Sequence, residues 1–226
     1  METTGFEPPA KVIEVGLVDL TLLGEAWQVT EQLSWLCYAD AIPPENRAVH
    51  HIRVEQLAGQ PPFGPLSVYQ AAGGKEPDVV AAHNMAFEAQ WLESPPHKPR
   101  LCTYKAALRV WPDAPSHGNF ALAYWLEDQG RVTLHEIAGQ QAHRAGPDAY
   151  ATALILRELL KHATANEMVA WTKEPKLLPT CPIGKFRGKP WGDVEGGFLN
   201  WMLKQDDMEA DLKWNARREL DRRMGR

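Results

Sequence analysis

An α/β domain with a mixed sheet flanked by helices, followed by a small C-terminal module, is the fold that three features of the sequence predict. Extended, β-branched segments crowd into the N-terminal part of the chain, ahead of the Pro43-Pro44 break. Helical spacing dominates from residue 103 to residue 162. The character of the chain changes after residue 163, where Pro, Trp and clustered basic residues take over.

Taken in order, residues 12–20 (VIEVGLVDL) are nearly continuous in apolar side chains, the pattern of a buried strand. Residues 28–38 (QVTEQLSWLCY) alternate and predict a second strand. Pro61-Pro62 and Gly64-Pro65 mark a turn, with a short helix after it over residues 67–72. Residues 78–82 (DVVAA) predict a short buried strand running straight into His83-Asn84, and residues 87–92 have helical spacing. Residues 103–111 and 119–127 also predict helices, with Thr103 and Asn119 as candidate N-caps. Residues 148–162 (DAYATALILRELLKH) carry the strongest helical pattern. Pro147 suits its first turn, and Lys161 and His162 suit the negative end of its dipole. Thr164 and Glu167 form a capping-box pattern that opens one more short helix. The division expected is 1–163 for the main domain, 164–182 for a short helix and a Pro-rich linker, and 183–226 for the module. So short a tail is marginal for an independent core and is expected to dock on the main domain.

Hydrophobic residues make up 44% and charged residues 23% of the 226-residue chain, values of an ordinary globular protein. No apolar run of about 18 residues predicts a membrane span, and no secretory or transit segment opens the chain. Three widely spaced cysteines, Cys37, Cys102 and Cys181, suggest neither a disulfide framework nor a zinc site and fit the cytoplasm. The net charge of −5 argues against a protein that merely coats nucleic acid. It leaves room for a nuclease, whose metal-holding carboxylates are themselves negative.

Three clusters could carry chemistry: Glu2-Thr3-Thr4-Gly5, then His83-Asn84-Met85-Ala86-Phe87-Glu88 at a strand end, then His143 and Asp148 leading into the strongest helix. Each has an ordinary reading when taken singly. Glu2 can be a frayed terminal acid, His83-Asn84 a turn, Glu88 a solvated helix residue, and His143 and Asp148 a loop residue and a helix-start acid. Together they suit phosphodiester hydrolysis. That reaction needs acids from separate segments to hold hard divalent cations, and a base near neutrality to take a proton from water.

In this order and spacing the three clusters resemble the motifs of the DEDD-type 3′→5′ exonucleases, in the histidine (DEDDh, DnaQ-like) subclass. ETTG resembles the end of D-x-E-T-T-G, AHNMAFE resembles A-H-N-x-x-F-D, and His143-x4-Asp148 resembles H-x4-D. VIEVG, the AVHHI segment and CTYKAALRVWP fit between them. The tail segments IGKFRGKPWGDV and GFLNWML resemble the module of exodeoxyribonuclease X-like proteins. The resemblance implies a ribonuclease H-like fold and release of nucleotides from 3′ ends of DNA, single-stranded DNA above all, with RNA not excluded, in DNA repair or turnover. It implies two Mg²⁺ ions, with Mn²⁺ as a substitute, held by Glu2, Glu88 and Asp148, and His143 as the general base. It also implies that Thr3, Thr4, His83, Asn84 and Phe87 line the nucleotide cleft. Lys185, Arg187 and Lys189 offer a phosphate grip, with stacking on a base nearby, although Trp191, Trp201 and Trp214 can equally be the module's core.

Two departures stand out. Glu88 replaces the second motif's Asp, moving the carboxylate outward by one methylene. The family's first Asp falls two residues before Glu2, so the native start, the first strand and that Asp are expected upstream of Met1. The alternative is a nuclease-fold protein that binds nucleic acid but cuts poorly.

Overall fold

The computed structural model describes residues 1–64, 67–71, 76–92, 98–137, 140 and 143–226. It is a mixed α/β fold, as the sequence predicts. Strand β1 (Glu2–Thr3) pairs antiparallel with β2 (Val12–Leu23), which pairs antiparallel with β3 (Ala26–Leu36). Strand β4 (Val80–Ala82) pairs with β5 (Arg100–Cys102) in parallel. Helix α1 (Pro44–His50) and α2 (Ser67–Ala71) separate the two sheets along the chain. Pro65 of the expected turn and Ala72 of the expected short helix lie outside the described residues.

After β4 come α3 (Met85–Glu88), β5, α4 (Thr103–Val110), α5 (Asn119–Asp128), α6 (Ala145–Leu159) and α7 (Ala165–Lys173). The main core lies among α4, α5 and α6. Leu122, Leu126, Leu154, Ile155 and Leu159 are buried there, and Val18 and Val29 of the antiparallel sheet pack against them. The helices expected over 103–111, 119–127, 148–162 and from Thr164 exist, whereas the helical spacing of 87–92 yields only the four-residue α3, which begins earlier and gives way to turns after Glu88. Thr103 and Asn119 are inside their helices rather than at the caps, which fall on Cys102 and Gly118 without side-chain bonds. Both side chains are drawn to tertiary partners instead: the Thr103 hydroxyl meets His83, and Asn119 Nδ2 donates to the Asp148 carbonyl at 2.9 Å. Helix α6 starts three residues before Asp148 and stops before Lys161 and His162. The α7 capping box is present, with the Glu167 N–H donating to Thr164 Oγ1 and the Thr164 N–H donating to Glu167.

One close approach positions the functional end of α6. The α6 N-terminus lies on β2 where Gly16 has no side chain, and a Cβ there would stand 1.9 Å from the Ala145 carbonyl oxygen. Gly146 is similarly pressed against Ser34 of β3. At Gly16 the missing side chain lets backbone meet backbone, and at Gly146 it leaves room for the Ser34 side chain, 3.2 Å from where a Cβ would stand.

The C-terminal part contains α8 (Gly196–Lys204) and α9 (Ala210–Arg223) around buried Cys181, Trp191, Val194, Leu199, Met202, Leu212 and Ala216. The tether to it is polar. The Lys176 and Leu178 amides donate to Asp211 and Asn215, and Arg109 of α4 pairs with Glu174. The three cysteines are free and buried. Among the described residues no helix is long and apolar enough to cross a membrane.

Candidate active site

The site begins with Glu14, a charged residue inside the apolar run of β2. Such a residue is almost never fully buried unless paired. Glu14 is 3% exposed, and its carboxylate accepts from Arg144 Nε and Nη2 in a two-pronged pair at 3.0 and 2.6 Å, and from the Ala145 N–H at 2.9 Å. Arg144 is the N-cap residue of α6. The pair thus clamps the start of α6 to β2, next to the Gly16 contact. Glu14 belongs to none of the motif clusters that the sequence picks out, and Arg144 lies inside the third without a role assigned to it. The signal available was an acid set among Val12, Ile13 and Val15 at the most buried end of the strand.

This clamp sets His143 and Asp148. His143 takes a left-handed backbone conformation, φ 60°, uncommon for a residue other than glycine. The turn aims its N–H at Asp148, donating to Oδ1 at 3.3 Å. The imidazole is on the exposed side of the turn. Asp148 sits in the first turn of α6, where the helix dipole favours a negative charge.

Glu2 comes from β1, and Glu88 from the last residue of α3. The α-amino group of Met1 links these acids. It lies 3.6 Å from Glu88 Oε1, and its charge acts on both Glu2 and Asp148. Burial pushes the Glu2 carboxyl from 4.5 up to about 8, and neighbouring Asp148 and Glu14 add to the rise against the pull of Met1 and Arg144. Burial likewise holds Asp148 above the ordinary carboxylate range, opposed first by His143. The structure therefore brings Glu2, His143 and Asp148 near one another, while Glu88 approaches this group only through Met1.

The other predicted residues have more structural surroundings. The Thr3 hydroxyl donates to the Gly5 carbonyl at 2.6 Å, and Thr4 Oγ1 accepts from the Lys11 N–H at 2.8 Å, so both hydroxyls shape the β1–β2 loop. His83 is locked. Its Nε2 is 2.7 Å from the His117 carbonyl, which only accepts, so Nε2 carries the proton and Nδ1 accepts from Thr103 at 3.0 Å. Burial lowers its pKa to about 4, and the ring stays neutral at physiological pH. Asn84 is exposed, and Phe87 packs edge-on to Trp91. Lys185, Arg187 and Lys189 lie on the C-terminal module, with Lys185 paired to Glu195 at 3.0 Å. His50 of α1 is buried near Glu14 and Arg144, its Nδ1 accepting from Ile52 N–H while Nε2 has no partner.

Among the described residues, no three His, Cys, Asp or Glu side chains are placed to hold a metal ion as they stand. The donor chemistry nevertheless fits a hard divalent cation. Two half-buried carboxylates repel one another, and the buried Glu88 Oε2 has no hydrogen-bond partner.

Comparison with known proteins shows what the chain and its fold are similar to. The chain is 27% identical to exodeoxyribonuclease 10 of Escherichia coli over 97% of its own length and 96% of that protein's. The solved structure of exonuclease X in complex with 5′ overhanging duplex DNA superposes with a TM-score of 0.61 at 27% identity, covering 76% of this chain and 95% of that one. The chain is thus similar to exonuclease X and, more distantly, to a DnaQ-like polymerase subunit. It is also 27% identical to the DNA polymerase III subunit epsilon of Treponema pallidum, over 71% of this chain and 74% of that protein. No family model matches the sequence. The fold is that of exonuclease X, a ribonuclease H-like arrangement, and DnaQ-like exonucleases in general use divalent metals.

Two expectations test this exonuclease X-like site directly. Glu14→Ala removes the acceptor for Arg144 Nε, Arg144 Nη2 and the Ala145 N–H. Arg144 is a third exposed and can turn to water, so the expected loss is about 2 kcal/mol, measured by urea unfolding. The second concerns pH. Glu2 has a folded pKa above its unfolded value, so the folded state holds the extra proton between about 4.5 and about 8. Stability must then fall as pH rises through that window. The unfolding midpoint in EDTA should drop from pH 5 to pH 8, and Mg²⁺ or Mn²⁺ should reduce the drop. A midpoint flat across this range without metal would contradict the placement of Glu2.

Proposed function

We propose that this protein is a metal-dependent 3′→5′ exonuclease that releases nucleotides from 3′ ends of DNA, single-stranded ends in particular, in DNA repair or turnover in the cytoplasm. The observation that carries the reading is the gathering of Glu2, His143 and Asp148 from separate segments of the chain, with Glu88 approaching them through Met1. The similarity to exodeoxyribonuclease 10 over nearly the whole chain supports it, as does the DNA complex formed by exonuclease X.

Glu2 and Asp148 would hold one Mg²⁺ ion and Glu88 a second, with Mn²⁺ able to replace either. Bound cations of this kind lower the pKa of water and stabilise charge on the phosphate. His143, on the exposed side of its turn, takes the proton from water at its imidazole. Asp148 fixes the backbone of that turn. Thr3, Thr4, Asn84 and Phe87 border the terminal nucleotide. His83 acts by holding the end of β4 against α4.

A second reading, a nucleic-acid-binding protein with impaired cutting, is favoured by Glu88 in the second motif and by the lack, among the described residues, of three side chains already placed to hold a metal ion. Incubation with 5′-labelled single-stranded DNA, with Mg²⁺, with Mn²⁺ and in EDTA, separates the two. A ladder shortening from the 3′ end only with metal supports the exonuclease. Binding without shortening in either metal supports the second reading, and RNA in parallel reads the sugar preference.

A further inference from the structure

The C-terminal module carries an aromatic strip that begins at its core, where Phe186 and Phe198 pack half-buried, and ends on an open indole, Trp201. Helix α8 sends Leu199 and Met202 inward, both fully buried, while Trp201 remains 46% exposed. Trp201 lies against Phe198 with ring centroids 5.1 Å apart and planes tilted by 33°, and Phe198 lies against Phe186 at 5.0 Å with a tilt of 59°. Lys185 Nζ lies 4.9 Å from the Phe186 ring centre. The strip is built rigidly. Gly184 has φ 60°, and a Cβ there would stand 2.9 Å from the Phe198 ring, so the turn is pressed onto the aromatic face. The same turn is pinned by Gly188 N–H to the Cys181 carbonyl at 2.8 Å and Cys181 N–H to the Lys189 carbonyl at 2.9 Å.

The charge around the strip is cationic within a chain that is acidic overall. Residues 184–190 contain Lys185, Arg187 and Lys189 and no acid. Lys185 is shared with Glu195. Arg187 and Lys189 are exposed, and no side-chain partner engages them among the described residues. An exposed indole braced by two neighbouring rings, with free cations on the adjoining turn, matches the two chemical features of a single nucleic-acid strand. Every base offers a face for stacking, and every nucleotide a phosphate.

We propose that Phe186, Phe198 and Trp201 form a stacking platform for single-stranded DNA, with Arg187 and Lys189 contacting its phosphates, apart from the acidic site. This deepens the exonuclease reading and rests on it for the choice of DNA. The platform holds strand while the acidic site works at the 3′ end.

The test uses the full chain and a fluorescein-labelled oligo(dT) blocked at its 3′ end by phosphorothioates, titrated in EDTA. Trp201→Ala is expected to weaken binding on the order of tenfold, the usual value of one base–aromatic stack. Trp201→Phe should restore most of it. Arg187→Glu with Lys189→Glu should weaken binding and flatten the salt dependence, by about 0.7 in log–log slope for each phosphate no longer neutralised. These two side chains are exposed, so that variant decides the matter even if Trp201→Ala lowers the unfolding midpoint. Unchanged affinity in both variants overturns the proposal. So does a concentration-dependent dimer that Trp201→Ala dissolves without changing DNA affinity, which would make the strip a self-interface. Hydrolysis of a p-nitrophenyl ester of thymidine 5′-monophosphate by the unaltered protein reads the catalytic pocket by itself. A protein that binds through Trp201 yet leaves the ester and DNA uncut refutes the exonuclease reading while keeping the platform. One that cuts both but ignores Trp201 refutes the platform alone.

Discussion

Gly16→Ala is expected to destabilise the protein by about 3 kcal/mol and to loosen the first turn of α6, the upper range for overpacking a close contact. The added Cβ would lie 1.9 Å from the Ala145 carbonyl oxygen, 2.2 Å from its carbon and 2.6 Å from the Gly146 nitrogen. All three are backbone atoms, so no rotamer change can relieve the overlap. Either β2 or α6 must shift. A shift of α6 breaks the hydrogen bond between Glu14 and the Ala145 N–H and moves Asp148 with it. Activity should therefore fall together with the urea midpoint. Gly197→Ala is the matched control. That glycine is within α8 and a Cβ there meets nothing within 4 Å, so the substitution should be neutral or stabilise by about 0.4–1 kcal/mol. A Gly16→Ala protein as stable as the parent would disprove the close approach of α6 to β2.

Replacing His143 should have the largest effect on chemistry. Loss of a general base lowers turnover by about 10²–10⁴-fold. The variant matters, because the residue sits at φ 60°. Asparagine tolerates that conformation better than most residues. His143→Asn should keep the turn, and with it the backbone N–H to Asp148, while removing the imidazole. The expected result is a fall in kcat with unchanged affinity for a 3′-blocked oligonucleotide and an unchanged unfolding midpoint. Full activity in His143→Asn and His143→Ala alike would remove His143 from the mechanism.

These two variants probe the same end of α6 through different bonds. Gly16 acts through the packing of two backbones, and His143 through one side chain. A protein that lost activity in both but stability only in the first would separate positioning from chemistry at this site.

What could be read without the fold was whatever depends on neighbours in the chain. The apolar run of β2, the repeat of α6 and the Thr164–Glu167 box form by local rules. The motif clusters around Glu2, Glu88, His143 and Asp148 were legible for the same reason, because each is a short string at a characteristic spacing. Tertiary structure alone decided the partners. Glu14 and Arg144 are 130 residues apart in sequence, and only the packing of α6 on β2 makes them a pair. His83 gave no local sign that its ring would be closed off by the His117 carbonyl. Nor could composition say that Trp191 is buried while Trp201 stands open, since both are tryptophans beside basic residues. Periodicity and caps report bonds between residues a few positions apart, whereas burial of a charge or an indole depends on which distant surface arrives to cover it.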